Sequence, residues 1–166
     1  MIYLILLFGL FLRLINLNQS LWWDEGITYT AITKYGLIDL VSKFSLGDFH
    51  PPLYYVLLMY WTKIFGTSEI ALRLPSVIFG VALIWIVYLI GKKLFTTQIG
   101  LVAGLLTSVS PLLIYYSQEA RMYALDALLV CISMYFFILL IDSNFKSFFI
   151  KIGFLLINIA LIYSDY

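Results

Sequence analysis

Four long apolar runs follow one another through the second half of the chain, at residues 75–91, 99–116, 122–141 and 148–163. A helix crosses the hydrocarbon core of a bilayer in about 20 residues, within a range of about 17–25. A fifth run, residues 2–17, is interrupted only by Arg13. It has no basic leader and no Ala-x-Ala site, so it reads as an anchor rather than a cleaved signal peptide. The 166 residues are 63% hydrophobic and 11% charged, where a soluble domain is about half apolar and about a quarter charged. That balance excludes a soluble enzyme and a disordered chain. A net charge of +1 supplies no field for polyanions and excludes a nucleic-acid binder. The single cysteine, Cys131, lies inside an apolar run and can form no internal disulfide.

The expected fold is all-α: a polytopic membrane helix bundle of about five transmembrane helices, one module over residues 1–166. Residues 53–65 are apolar but too short to span. Pro51 and Pro52 precede them as suits a helix start, and Lys63 interrupts their end. Leu37, Ile38, Val41 and Phe44 recur at helical spacing, which predicts an amphipathic helix over residues 27–44 with Asp24 in the capping position. Two juxtamembrane surface helices are therefore expected in one external segment, residues 18–74. Loop charge supports this. Lys92-Lys93 and Lys146/Lys151 both fall inside if residues 53–65 stay on the surface, and both fall outside if they span. The expected location is an integral, multi-pass membrane protein with its active face outside the cytoplasm.

Polar residues that could carry chemistry collect on that face. Trp22-Trp23 suit the interfacial belt, and Asp24-Glu25 beyond them could supply a general base or close the next helix. Asp48 and His50, the only histidine, stand at the Pro51-Pro52 turn. With Asp24 and Glu25 they could hold a divalent metal, although the spacing is no tight signature. Glu69 and Arg73 are four apart and could pair on a helix, or Arg73 could meet a lipid phosphate. Glu119, Tyr123 and Asp126 fall at i, i+4 and i+7, which would line one helix face toward a cavity, or bury Asp126 against Arg121 or Arg13. Gly100 and Gly104 make a small-xxx-small step suited to helix packing. No Gly-rich phosphate loop, Asp-x-Asp signature or Ser/His/Asp set accompanies them.

Four strings occur in series: Trp22-Trp23-Asp24-Glu25-Gly26, His50-Pro51-Pro52-Leu53-Tyr54-Tyr55, Ala71-Leu72-Arg73-Leu74-Pro75-Ser76 and Tyr116-Ser117-Gln118-Glu119-Ala120-Arg121-Met122-Tyr123-Ala124-Leu125. In this order they resemble the membrane glycosyltransferases of the C superfamily, in the branch of protein O-mannosyltransferases and lipid A aminoarabinose transferases. The resemblance implies transfer of one sugar, with inversion, from a polyprenyl-phosphate donor to an acceptor outside the cytoplasm. The acceptor stays open among protein, lipid and glycan. By resemblance, Asp24 matches the catalytic aspartate and Glu25 its neighbouring acid. His50 takes the position near the donor phosphate. Arg73 and Arg121 match basic positions tied to phosphate binding or site integrity, and Arg13 matches an arginine of the first span. The partners so implied are the donor lipid and the bilayer, with no certain cofactor.

Enzymes of this kind are several times longer, and many carry a His near the position of Asp165. The chain is therefore expected to be the N-terminal part of such an enzyme. The alternatives are a non-catalytic truncated membrane protein, or a subunit whose site is completed by another chain. A small transporter using Glu119 and Asp126 as a relay ranks below these, because the acids cluster at one face instead of running along several spans.

Overall fold

Helices supply every regular element among the described residues: α1 (Ile2–Leu14), α2 (Trp23–Lys34), α3 (Leu37–Asp39), a π-helical turn (Leu40–Phe44), α4 (Ser45–Gly47), α5 (Leu53–Phe65), α6 (Glu69–Leu94), α7 (Thr97–Val109), α8 (Pro111–Ser117), α9 (Tyr123–Asp142) and α10 (Phe148–Ile162). The computed structural model describes residues 1–47 and 50–165, with Leu46 described by its backbone alone. The expected helical membrane bundle is what the chain forms.

The apolar rods stand where the runs place them, but they differ in reach. α6 and α9 are long and apolar enough to cross a membrane. α7 and α8 make a third span only if taken together, and they are bent by 60° at a break. α1 and α10 are shorter, with 13 and 15 residues. At 1.5 Å per residue α1 covers about 20 Å, less than the hydrocarbon core. It ends early because Ile15 is extended and Asn16 turns to φ 61°.

The break between α7 and α8 has a chemical cause. Pro111 has no N–H and opens α8 at its first position, while Ser110 before it is extended. The carbonyls of Thr107 and Ser108 are left without helical donors. Arg13 supplies them: its Nη1 donates to Ser108 O at 3.0 Å and its Nη2 to Thr107 O at 3.3 Å. Its Nε donates to Ser117 Oγ at 3.1 Å on α8. An arginine buried this completely is costly alone and is held by the irregular backbone it completes. Gln118 closes the other end of the contact, donating from Nε2 to Ile15 O at 2.9 Å and to Leu12 O at 3.2 Å.

α6 is the central rod and packs on α1, α5, α7, α8 and α9. Its backbone nearly touches that of α7. A Cβ at Gly91 would lie 2.8 Å from Gly100 Cα, and one at Gly100 would lie 2.6 Å from Tyr88 O. Gly100 thus packs helices as its spacing predicts. Pro75 sits inside α6 without breaking it. The Ala71 carbonyl that Pro75 leaves unbonded accepts the Trp61 indole N–H at 2.9 Å, which fastens α5 to α6.

α5 is short, with 13 residues, and is buried on one side. Tyr54, Tyr55 and Leu58 on its inner face join Leu72, Met122 and Leu125 in the core. Residues 27–44 do not form one helix. α2 begins earlier, at Trp23, and stops where Tyr35 and Gly36 turn extended. The chain then continues through short helical turns.

α9 and α10 are antiparallel, and the two ends of the bundle differ. At one end Lys93 of α6 pairs with Asp142 of α9. At the other, Leu53 N donates to Tyr163 O at 2.9 Å, so the end of α10 meets the start of α5. The basic loops and the four polar strings therefore lie at opposite ends.

Arg13→Met should lower stability by about 3 kcal/mol, through loss of charged hydrogen bonds to three groups at the break. Arg13→Lys should rescue only part, because an ammonium lacks the fork that reaches all three. Thermal unfolding of both variants in detergent checks this. Equal stability of wild type and Arg13→Met would show that the break needs no donor.

Candidate functional site

The two adjacent acids of α2 do different things. Glu25 is fully buried, with 0% exposure. Its Oε1 accepts from Arg73 Nε and from Ala120 N, each at 2.8 Å. Its Oε2 accepts from Arg73 Nη2 at 2.5 Å and from Trp22 N at 3.3 Å. Arg73 in turn donates to Leu17 O, Gln19 O and Ser20 O. All five of its N–H groups are thereby engaged. The expected Glu69–Arg73 pair does not form among the described residues. Glu69 is exposed at the α6 start, and Arg73 turns instead toward α2.

Asp24 is one residue away and in a different situation. It is the second residue of α2, not its cap; Trp22 holds that position and the Glu25 carboxylate bonds back to the Trp22 N–H. Its carboxylate is half-buried and has no hydrogen bond or ion pair among the described residues. The positive end of the α2 dipole lies beneath it. One turn on, the Thr28 hydroxyl donates to Asp24 O at 3.2 Å.

Thr28 leads to Arg121. Arg121 Nη1 donates to Thr28 Oγ1 at 3.4 Å and to Tyr55 Oη at 3.3 Å. Its Nη2 stands 3.4 Å from His50 Nδ1 and 3.5 Å from His50 Nε2. Its Nε is buried with no partner. Arg121 is only 3% exposed, yet its bonds are long and one donor is unused, unlike those of Arg73. Burial acts against its charge, but Tyr55, Tyr123 and Asp24 outweigh that and hold its pKa above the ordinary value. The Tyr123 ring centre lies 5.9 Å from the guanidinium.

Glu119, Tyr123 and Asp126 do not share one helix face. α9 starts only at Tyr123, and residues 118–122 form a non-helical turn. Glu119 points toward α8, where the Tyr115 hydroxyl meets it. Asp126 turns to α10, facing Ser164 and Asp165 rather than an arginine. Burial, aided by Glu25 and Asp24, raises the Glu119 pKa against the pull of Tyr115 and Arg121.

Two cavities flank α2. One of about 530 Å³ has Trp22, Glu25, Arg73, Gln118 and Glu119 in its wall. The other, about 510 Å³, lies among Trp22, Trp23, Gly26, Tyr35 and Phe44. Asp24, His50 and Arg121 line neither. Among the described residues no three His, Cys, Asp or Glu side chains stand close enough to share a metal, and Asp48 of the expected set lies outside the described residues.

Thr28, Tyr55 and the Ala120 N–H belong to the site and were not picked out as polar candidates. Thr28 was findable as the residue one turn after Asp24. Tyr55 stands within the His50 string. The Ala120 amide carried no signal, because its role depends on a turn that residue types do not specify.

Residues 49–162, well over half of the chain, match the family described as dolichyl-phosphate-mannose-protein mannosyltransferase. The matched stretch carries His50, Arg73, Glu119, Arg121, Tyr123 and Asp126, while Arg13, Asp24 and Glu25 precede it. No curated protein and no solved structure matches the chain. Apolar rods in a membrane bundle, arginines gathered at one end and this match lead to one assignment: the chain belongs to the dolichyl-phosphate-mannose-protein mannosyltransferase family, glycosyltransferases of the mannosyltransferase type.

Proposed function

We propose that the protein transfers a sugar from a polyprenyl-phosphate donor to a hydroxyl acceptor on the extracytoplasmic side of the membrane, with inversion. The observation that carries this reading is the unpartnered Asp24 carboxylate, placed one helical turn from the Thr28–Arg121 contact. Asp24 takes the proton of the acceptor hydroxyl as its oxygen attacks the anomeric carbon. The bond from that carbon to the phosphate oxygen breaks on the opposite side, and the lipid phosphate leaves with the electron pair. Arg121 receives the leaving phosphate, since it has an unused Nε–H and two weakly engaged terminal nitrogens. His50 stands beside it and widens the polar cradle. Glu25 and Arg73 hold the frame. They have no free hydrogen-bonding position for substrate, which supports integrity over phosphate binding as the role of Arg73.

Asp24→Asn removes the proton acceptor and no internal contact. Turnover of a radiolabelled polyprenyl-phosphate sugar by the membrane-reconstituted protein should fall by roughly two to four orders of magnitude. The melting temperature should hold. Glu25→Gln should behave in the opposite sense, with stability down by about 3–5 kcal/mol because Arg73 is left buried without its counter-charge. An active Asp24→Asn variant would sink the base assignment.

Arg121→Lys should weaken donor binding about tenfold or more per folded molecule, since a point charge cannot grip two phosphate oxygens in a plane. Unchanged donor affinity would leave Arg121 as a tie between α2, α5 and α9.

The orientation is testable with Cys131→Ser as background. An impermeant thiol reagent applied to intact cells should modify Gly47→Cys and spare Lys92→Cys. The reverse pattern would overturn the topology.

A further inference from the structure

The larger cavity, about 530 Å³, lies on the α1 and α8 side of α2, and neither Asp24 nor Arg121 lines it. Its size falls in the range of small-ligand sites. Its one cation, Arg73, is already saturated by Glu25 and three carbonyls, so it offers nothing to a phosphate. The charge in the wall left without a counter-ion belongs to Glu119. That side chain is 5% exposed, and its Oε2 is buried with no hydrogen-bond partner. The terminal torsion of a glutamate is soft, so either oxygen can turn to an incoming donor. Asn16 and Gln19 add side-chain amides that have no partner among the described residues, and Trp22 adds an exposed ring. Carboxyl, amides and an indole around one space suit several hydroxyls on a compact ring. One side of the lining is apolar. Leu12 and Ile114 come from the apolar helices α1 and α8, and Ile15 directly follows α1, which gives the occupant a hydrocarbon side.

We propose that this cavity binds the uncharged, hydroxyl-bearing head of a membrane glycolipid, with Glu119 as its principal hydrogen-bonding partner. The proposal is independent of the transfer reaction, because it uses neither Asp24 nor Arg121. A buried acid with one oxygen unbonded repels a phosphate and accepts from hydroxyls. The apolar lip favours a head attached to a chain over a free sugar.

The test uses the whole protein in phosphatidylcholine nanodiscs doped with monogalactosyl diacylglycerol, with retained lipid counted by native mass spectrometry. One galactolipid per protein is expected to survive activation, in preference to phosphatidylcholine. Glu119→Ala should reduce retention about tenfold, the worth of a hydrogen bond to a charged group. Glu119→Gln, which keeps shape and a neutral acceptor, should retain more than Glu119→Ala and less than wild type. Ile15→Trp changes an exposed position and should block the lip without touching the polar floor. Its loss of retention would support the site even if Glu119→Ala failed to fold. Equal retention of phosphatidylcholine, displacement of the galactolipid by inorganic phosphate, or retention unaffected by Ile15→Trp would each overturn the proposal. So would free methyl galactoside that binds as tightly as the lipid.

Discussion

A carboxylate and a guanidinium withdrawn from water each lose several kcal/mol of hydration, and their attraction restores this only when every remaining lone pair and proton is also bonded. The Glu25–Arg73 pair meets that condition. Four donors converge on the carboxylate, and five acceptors surround the guanidinium. The partners come from the loop after α1, the start of α2, α6 and the turn before α9. The pair therefore ties the connections that the membrane rods leave loose. It sets where α2 begins and the height of the Ala120 turn, and so the distance from Asp24 to Arg121. Without it, the site residues would sit on segments with little else to align them.

The three arginines form a graded series. Arg13 is spent on carbonyls that Pro111 leaves open, so its positive charge stabilises irregular backbone inside the bundle. Arg73 is spent on one acid and three carbonyls. Arg121 is as deeply buried as Arg73, yet keeps an unbonded Nε and makes contacts of 3.3–3.5 Å. Side-chain type is the same in all three, and the number of acceptors within reach differs. A guanidinium with unspent donors beside a free carboxylate is a place where a ligand can add contacts without displacing any.

The sequence made the helical bundle, the short α5 and the gathering of polar strings at one end legible, because each follows from length, hydropathy or charge along the chain. The misread features are those in which distant backbone decides. The split of residues 27–44 depends on Tyr35 and Gly36 turning extended. The 60° bend at Pro111 depends on Arg13, 94 residues before Thr107, being there to satisfy the exposed carbonyls. The pairing of Arg73 with Glu25, rather than with Glu69 at helical spacing, crosses 48 residues. Periodicity cannot see such contacts.

The different fates of Asp24 and Glu25 follow from helix geometry. Neighbouring residues on a helix point about 100° apart, so two adjacent carboxylates at its start cannot face the same space. Once Glu25 is drawn inward to Arg73, Asp24 must project along the flank that also carries Thr28. The i, i+4 relation then brings Asp24 toward whatever Thr28 touches, which is Arg121. A free acid and an incompletely bonded arginine are thus placed together by the burial of a third residue that takes part in neither contact. An exchange of the two acid positions would leave Arg73 unpaired in the interior. The order of the pair in the sequence, buried acid second, is therefore fixed by the ion pair before any catalytic demand is made of Asp24.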